Sequence, residues 1–489
     1  MRRRDFLKTA GAVTLLSGSV EISRLMGQAT DKRRPNFVFI LIDDMGWRDA
    51  GCFGSAFYET PNIDRLAAQG MRFTDAYAAC PVCSPTRASI MSGKYPARLH
   101  LTDWIPGRQA NARARARMKL DPPQFEQQLA LGEVTLAETL KQAGYATLFA
   151  GKWHLGSAGY YPEDQGFDAN RGGWERGSPS GSGRYFPPYG NPKLPDGPEG
   201  EHLPDRLAAE TCRFIEAQRQ GPFLAYLSFY SVHTPLMARA DLKAKYEAKA
   251  QHFQHDGPAW GDEGNRKVRL VQDHAVYACM VEAMDQAVGK VLDALDRLNL
   301  AQDTAVFFMS DNGGLSTAEG SPTSNVPLRG GKGWLYEGGI REPMIIRWPG
   351  AVKPGTVCHE PVTSTDFYPT MLEMAGLPLR PQQHADGVSL VGLLKGEGRP
   401  QRQAIYWHYP HYSNQGGTPG GAVRAGDFKL IEFYEDNRIE LYNLRDDIGE
   451  EHDLAAEMPE KTAELRRMLR DWRKDVGAVM PKLNANYEG

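Results

Sequence analysis

The chain has little cysteine, six residues in 489, and this excludes a small disulfide-stapled scaffold. No cluster of His and Cys has the spacing of a zinc site. An excess of one charge is also missing: 57 Lys and Arg face 60 Asp and Glu, a formal charge of −3, so no global attraction to nucleic acid follows. No run reaches the about 20 apolar residues of a membrane-spanning helix. No internal repeat stands out. What remains is the ordinary balance of a globular protein, with length for one large α/β domain and an appendage, or for about three average domains.

The N-terminus reads as an address. Arg2, Arg3 and Arg4 precede Asp5-Phe6-Leu7-Lys8 and a short, weakly apolar stretch, Thr9–Leu16. Arg3-Arg4 followed by Asp-Phe-Leu-Lys resembles a bacterial twin-arginine export signal. Residues 1–30 are assigned to it, with cleavage between about Ser17 and Thr30. Removing residues 1–27 takes away five basic and two acidic side chains and moves the formal charge from −3 to −6. The expected location is periplasmic or secreted, where disulfides are permitted. The pairing of Cys52, Cys80, Cys212, Cys279 and Cys358 is not readable from sequence.

Several short apolar runs end in polar clusters. Asn36–Ile42 ends in Asp43-Asp44, Tyr145–Ala150 in Gly151-Lys152-Trp153-His154, Phe223–Tyr230 in Ser231-Val232-His233, and Thr304–Met309 in Ser310-Asp311-Asn312. Short, β-prone runs that are apolar on both faces are strands of a buried, largely parallel sheet. A fifth, Met344–Ile346, is shorter. Helical patterns alternate with them over Asn62–Gln69, Leu136–Ala143, Asp205–Arg219 and Asp273–Arg297. The alternation predicts an α/β fold with helices on both faces and ligands beyond the carboxyl ends of the strands. Gly172–Pro204, rich in Gly, Pro and Ser, reads as a long surface excursion rimming the site. Lys395–Pro400 reads as a boundary between a catalytic domain, 31–398, and a C-terminal α+β subdomain, 399–489. In the latter, Ala404–Trp407, Phe428–Phe433 and Ile439–Tyr442 are expected as antiparallel strands, followed by a helix over about Glu460–Val476. Ala112–Arg117, alternating Ala and Arg, reads as a solvated basic loop or helix end.

The sharpest motif is Cys83-Ser84-Pro85-Thr86-Arg87, continuing Ala-Ser-Ile-Met-Ser-Gly-Lys. Pro85 suits a first helical turn. Cys83 then sits at a helix start, where the dipole favours an anion, and Arg87 lies one turn on. This pattern resembles the signature of the type I sulfatases of the alkaline phosphatase superfamily. Asp43-Asp44-Met-Gly-Trp, Gly151-Lys152-Trp153-His154-Leu155-Gly156, Ser231-x-His233-x-Pro235, Ser310-Asp311-Asn312-Gly313 and Gly331-Lys332-Gly333 with Glu337-Gly338-Gly339-Ile340-Arg341 are similar to that family's other elements, in order. The likeness covers about residues 34–400.

The resemblance implies a large, mixed, mostly parallel sheet sandwiched by helices, and a sulfuric ester hydrolase. It implies that a maturation enzyme oxidises Cys83 to formylglycine. It implies one divalent cation, calcium, held by Asp43, Asp44, Asp311, Asn312 and residue 83; such hard oxygen donors suit calcium or magnesium better than zinc. One hydroxyl of the hydrated aldehyde attacks sulfur, with Asp311 accepting its proton, and the second drives release of sulfate. Arg87 and Lys152 stabilise the hydrate and the sulfuryl oxygens. Lys332 and His233 hold sulfate and protonate the leaving oxygen, and His154 assists elimination. The overall pattern is similar to exported bacterial carbohydrate sulfatases, so a sulfated carbohydrate is the expected substrate. Asp103, Trp104, Arg171, Trp174, Trp334, His408 and His411 are candidates to touch it, with Trp407–Gly421 as a pocket wall. Alternatives are a phosphoester or phosphonate hydrolase of the same superfamily and a noncatalytic sulfated-glycan binding protein.

Overall fold

Asn36–Ile42 shows how the molecule is layered. Val38, Ile40 and Ile42 join one hydrophobic core, while Phe37, Phe39 and Leu41 join a second. A strand buried on both faces must lie inside a sheet covered on both sides. The structure, a computed structural model, describes residues 34–179 and 184–488. The export signal assigned to residues 1–30 lies outside the described residues.

In chain order the strands of that sheet are β1 (Asn36–Ile42), β2 (Met71–Tyr77), β3 (Ala146–Gly151), β4 (Ala169–Arg171), β5 (Phe223–Ser228), β6 (Thr304–Ser310), β7 (Arg341–Arg347), β8 (Thr356–Cys358) and β9 (Val362–Thr363). Their spatial order is β8-β2-β7-β6-β1-β5-β3-β4, with β9 also pairing β2. β7 runs antiparallel to β2 and β6, and every other pair is parallel. This is the expected mixed, mostly parallel sheet. Pro61–Gln69, Leu203–Ala217 and Ala275–Arg297 pack on one face; Cys83–Ser92, Leu136–Gln142 and Phe367–Met374 pack on the other. Phe39 stacks on Tyr226 at 4.7 Å and on Phe307 at 5.8 Å, with Phe367 edge-on at 4.9 Å. One aromatic cluster thus fixes β5, β1 and β6 against a helix, and the ends of these strands carry the site.

A second sheet is antiparallel throughout, in the order β10 (Ile405–Tyr409), β11 (Gly420–Ala425), β12 (Phe428–Phe433) and β13 (Ile439–Asn443). Leu465, Leu469 and Trp472 of the helix Pro459–Asp475 cover one face. Trp407 and Ile431 on the other face meet Tyr77, Tyr336 and Ile340 of the large sheet's surroundings. Buried Lys429 crosses that contact, 2.9 Å from Glu337 and 2.8 Å from Glu450.

Two expectations change. Strand β11 starts inside the segment read as a pocket wall. Gly421 belongs there because a Cβ would come 2.4 Å from the Tyr434 hydroxyl; close strand packing, not loop freedom, places this glycine. The excursion Gly172–Pro204 is only partly surface. Tyr185, Tyr189 and Leu194 are fully buried in the main core, because aromatic anchors can bury a Gly- and Pro-rich loop that lacks regular structure. No helix among the described residues is long and apolar enough to cross a membrane. All six cysteines are free.

Candidate active site

Strands β1, β3, β5 and β6 end level. Leu41 pairs with Ser228, Ile42 with Ser310, and Gly151 with Ser228. The residues that follow therefore emerge at one edge of the sheet: Asp43-Asp44, Lys152 to His154, His233 and Asp311-Asn312. Lys332 arrives on the same edge because the segment holding it leads into the reversed strand β7. Cys83 opens a helix after β2, and all ten residues of that helix are buried.

Three buried carboxylates face three buried cations. Arg87 donates from Nε to Asp311 Oδ2 at 2.8 Å, and its Nη2 lies 2.7 Å from the same oxygen. Its Nη1 donates to Ser228 Oγ at 2.7 Å and to the Lys152 carbonyl at 2.8 Å. Lys152 Nζ donates to both Asp43 oxygens, at 2.9 and 2.7 Å. Lys332 Nζ lies 2.7 and 2.8 Å from the two Asp44 oxygens. Burial pushes Asp43 up to about 6 against the charge of Lys152. Burial also works against ionised Asp44, yet Lys332 and His233 hold it well below the usual carboxylate range. Burial opposes the Lys332 charge too, and Asp44 more than compensates.

Cys83 is 3% exposed. Burial pushes its thiol up to about 11, even with Lys152 and Lys332 pulling the other way. An unmodified Cys83 is thus a protonated thiol at neutral pH and a poor nucleophile. Ligand atoms of Asp43, Asp44 and Cys83 lie within 4.8 Å of one another. Asn312 Nδ2 donates to Asp44 Oδ1 at 2.8 Å, while Asn312 Oδ1 is buried without a hydrogen-bond partner. An orphaned amide oxygen among hard carboxylate donors fits a hard divalent cation.

Two histidines stand beside Cys83. His154 contacts the Ile105 carbonyl through Nε2, and its Nδ1 is buried without a partner. Burial, then Lys152, holds it well below the usual imidazole value, so the ring is neutral. His233 shares its Nδ1 with the Thr234 carbonyl at 2.7 Å and sets Nε2 3.7 Å from Asp44 Oδ2. Cys83, His154, His233 and Lys332 open into a cleft of about 740 Å³ walled by Trp104, Gln128, Glu175, Arg176, Glu319 and Gln415.

Of the seven residues proposed to touch substrate, the structure brings Trp104 alone to that cleft. Trp334 is buried, stacked on Tyr336, and its indole donates to Thr317. His408 is buried in β10 between the Tyr434 hydroxyl and the Val479 carbonyl. His411 and Asp103 line a neighbouring cavity instead, His411 bonded to Thr102 and Asp103 accepting from Tyr409. Trp174 is buried, with Arg176 over its ring, and Arg171 reaches Glu210 at 3.4 Å. Aromatic or charged side chains near a cleft are as readily consumed by packing as by ligand contact.

The family model described as Sulfatase matches residues 35–377. The chain belongs to the sulfatase family. A second model, N-sulphoglucosamine sulphohydrolase, C-terminal, matches residues 331–475 of this sulfatase. A sulfatase of Formosa agariphila is 33% identical over 92% of the chain and 91% of its own length. Human arylsulfatase A is 32% identical, covering 90% and 87%. The solved structure of Ps i-CgsB, known also in complex with k-i-k-neocarrahexaose, is 28% identical with a TM-score of 0.73, covering 90% of this chain and 93% of that one. The protein is a sulfuric ester hydrolase, and its sheet is that of the alkaline phosphatase-like sulfatases.

Sequence reasoning missed several residues of this sulfatase's site. Ser228 holds Arg87, and Tyr185 donates to the carbonyls of Tyr230 and His233 at 2.7 and 2.8 Å, fixing the loop that carries His233. Ser228 had one usable signal, its place as the one serine within the apolar run Phe223–Tyr230. Arg176 and Tyr185 lie in the segment read as a rim and Gln415 in the segment read as a pocket wall, so the segments were signalled but not these side chains; Glu319 comes from a loop that had no signal.

Proposed function

We propose that this sulfatase removes sulfate from a sulfated carbohydrate, using formylglycine made from Cys83 and one divalent cation, calcium. The observation that carries this reading is the state of Cys83. Its sulfur lies within 4.8 Å of ligand atoms of Asp43 and Asp44 at a buried helix start, and burial pushes the thiol up to about 11, which suits a group that joins a cation site and not thiolate attack. The hydrated aldehyde supplies an oxygen nucleophile there. Asp43, Asp44, Asp311, Asn312 and residue 83 would hold the cation, which supplies charge neutralisation at the sulfuryl oxygens.

The chain's own residues do the rest. Arg87, fixed by Asp311 and Ser228, orients the group at position 83. With Asp43 and Asp44 engaged in the cation site, Lys152 and Lys332 are free to face the sulfuryl oxygens. His233 is placed to protonate the leaving oxygen. Neutral His154, with an unpartnered Nδ1, is placed to take the proton that accompanies sulfate release. The cleft's size suits a sugar, and the oligosaccharide complex of Ps i-CgsB supports a carbohydrate substrate. We further infer export by the twin-arginine machinery to the periplasm or beyond, conversion of Cys83 by a formylglycine-generating maturation enzyme, and division at 398/399 into catalytic domain and C-terminal subdomain.

The test is mass spectrometry of the Cys83 peptide from protein matured in its own host, joined to turnover of aryl sulfate, aryl phosphate and sulfated sugars. A peptide lighter by about 18 Da, the thiol replaced by an aldehyde, with preferential sulfate ester turnover, is expected. Unmodified Cys83 throughout, or faster turnover of the phosphate, sinks the reading.

A further inference from the structure

The Ala-Arg alternation at 112–117 has no part in the site above. In the structure it borders a row of cavities. The active-site cleft adjoins a second cavity of about 380 Å³ through Pro106 and Gln127, which line both. That cavity adjoins a third of about 390 Å³ through Arg108, Met118 and Tyr412. Arginines mark the path: Arg108 and Arg115 line the second cavity, and Arg108, Arg117 and Arg266 line the third.

Arg108 feels the charge of buried Asp103 without reaching ion-pair distance, and the other three arginines are not spent on carboxylates. Among the described residues none of the four lies within ion-pair distance of an acid. Arg108 donates to the Ser413 carbonyl and Arg266 to the Asn414 carbonyl, at 3.3 and 3.1 Å, and Arg266 Nε is buried without a partner. The acids that share the cavities are Asp103, Asp121 and Glu435. Asp103 is buried and accepts from Trp104 N and Tyr409, and Glu435 accepts from Tyr412. In a chain of net charge −3, four arginines left without carboxylate partners along one groove are a local reversal of sign.

The groove is also held in shape. Asn111 caps the turn Ala112–Arg115 by accepting from Ala114 N at 2.9 Å. Asn484 donates to the carbonyls of Arg115 and Met118 at 3.0 and 2.7 Å, and Glu488 N donates to the Ala116 carbonyl at 2.9 Å. A basic turn whose backbone is pinned at both ends keeps its arginines beside the cavities, so binding has to order their side chains but not the chain that carries them.

We infer that the groove from Pro106 to Arg266 binds anionic groups on sugars beyond the one that loses its sulfate, so that the substrate is a multiply charged saccharide chain rather than a monosaccharide. This rests on the sulfatase reading for its orientation along the cleft, but binding can be measured apart from catalysis. Guanidinium forks match both sulfate and carboxylate oxygens, so the probes must separate them.

The experiment is calorimetric titration of the full-length protein with dextran sulfate, polygalacturonate and uncharged dextran. The Arg115→Gln/Arg117→Gln variant is compared with Arg467→Gln/Arg470→Gln, which removes the same charge from the helix Pro459–Asp475, outside the three cavities. The groove variant is expected to bind the preferred polyanion about tenfold more weakly, the control pair to match the wild type, and plain dextran to bind to none. Loss confined to dextran sulfate or to polygalacturonate names the oxyanion and supports the inference. Equal affinity in wild type and groove variant, or equal loss in both variants, overturns it. Aryl sulfate turnover, followed in parallel, fails only if the sulfatase reading fails.

Discussion

Arg87 and Asp311 meet through a single carboxylate oxygen. Nε and Nη2 both reach Asp311 Oδ2, at 2.8 and 2.7 Å, while Asp311 Oδ1 accepts from Asp44 N at 3.3 Å. The arginine therefore fixes one oxygen of a carboxylate whose other oxygen faces Asp44. Arg87→Lys keeps the charge but loses the fork to Ser228 and to the Lys152 carbonyl. It is expected to lower kcat/KM for an aryl sulfate by about 100- to 1,000-fold. Arg87→Ala leaves buried Asp311 without a counter-charge and is expected to cost about 3–5 kcal/mol of stability as well. Steady-state kinetics and chemical denaturation separate the two effects.

Cation removal tests the donor set. Chelation is expected to abolish turnover and lower Tm, with calcium restoring both. At a hundredfold excess over Kd the cation adds about 2.7 kcal/mol of stability. In Asp311→Asn the cation-dependent shift in Tm is expected to shrink or vanish. A wild-type Tm indifferent to chelator and calcium would rule the site out.

Gly177 makes room for His154. A Cβ there would lie 2.4 Å from His154 Cε1, and the ring is held by the Ile105 carbonyl. Gly177→Ala is expected to displace the imidazole and lower kcat by about 100-fold with a smaller change in KM. Gly132, where an added Cβ meets nothing within 4 Å, serves as the control and is expected to keep wild-type kinetics as alanine.

Asp103 gives a pH signature. Burial pushes it up to about 7, partly offset by hydrogen bonds from Trp104 N and the Tyr409 hydroxyl. The folded state holds this proton more tightly than the unfolded chain. Its contribution to stability is therefore full below about pH 4 and lost as pH rises through about 7. Asp103→Asn keeps a neutral group of the same shape, so the wild type is expected to fall behind it by roughly 3 kcal/mol between those limits. Thermal melts of both proteins from pH 4 to 8 check the slope; parallel curves would show that Asp103 does not titrate in this range.

Much of the fold was legible because its strands advertise themselves. Residues 37–42 and 305–309 are apolar at every position and buried throughout, and the acids that follow mark where each strand stops. Period and punctuation carry such information. Of the residues proposed for metal and sulfate, Asp43, Asp44, Lys152, Asp311 and Asn312 stand just after strands and Cys83 opens a helix with a proline in its first turn, which made them legible; Lys332 and His233, carried on loops, were singled out by the family resemblance. The substrate wall was legible only as segments: Gly172–Pro204 and Trp407–Gly421 do bring Arg176 and Gln415 to the cleft, but which side chains face it was not. Trp334 and Trp104 look alike as letters, and only the packing of Tyr336 and Thr317 around the first, against the open side of the second, separates them. Strand β11 was hidden because its opening glycines read as a loop, whereas they are demanded by Tyr434 and the neighbouring strand.

The burial of the helix Cys83–Ser92 sets a clock. All ten of its residues are buried, and of the cavities described Cys83 borders the cleft alone, so the proposed maturation enzyme would have to reach the side chain before the sheet closes. Under the proposed conversion, oxidation and folding would compete for the same nascent chain, and the fraction of active molecules would follow the ratio of two rates. Slower folding, at lower temperature or with a chaperone that delays closure, is then expected to raise the yield of competent enzyme without altering a single residue.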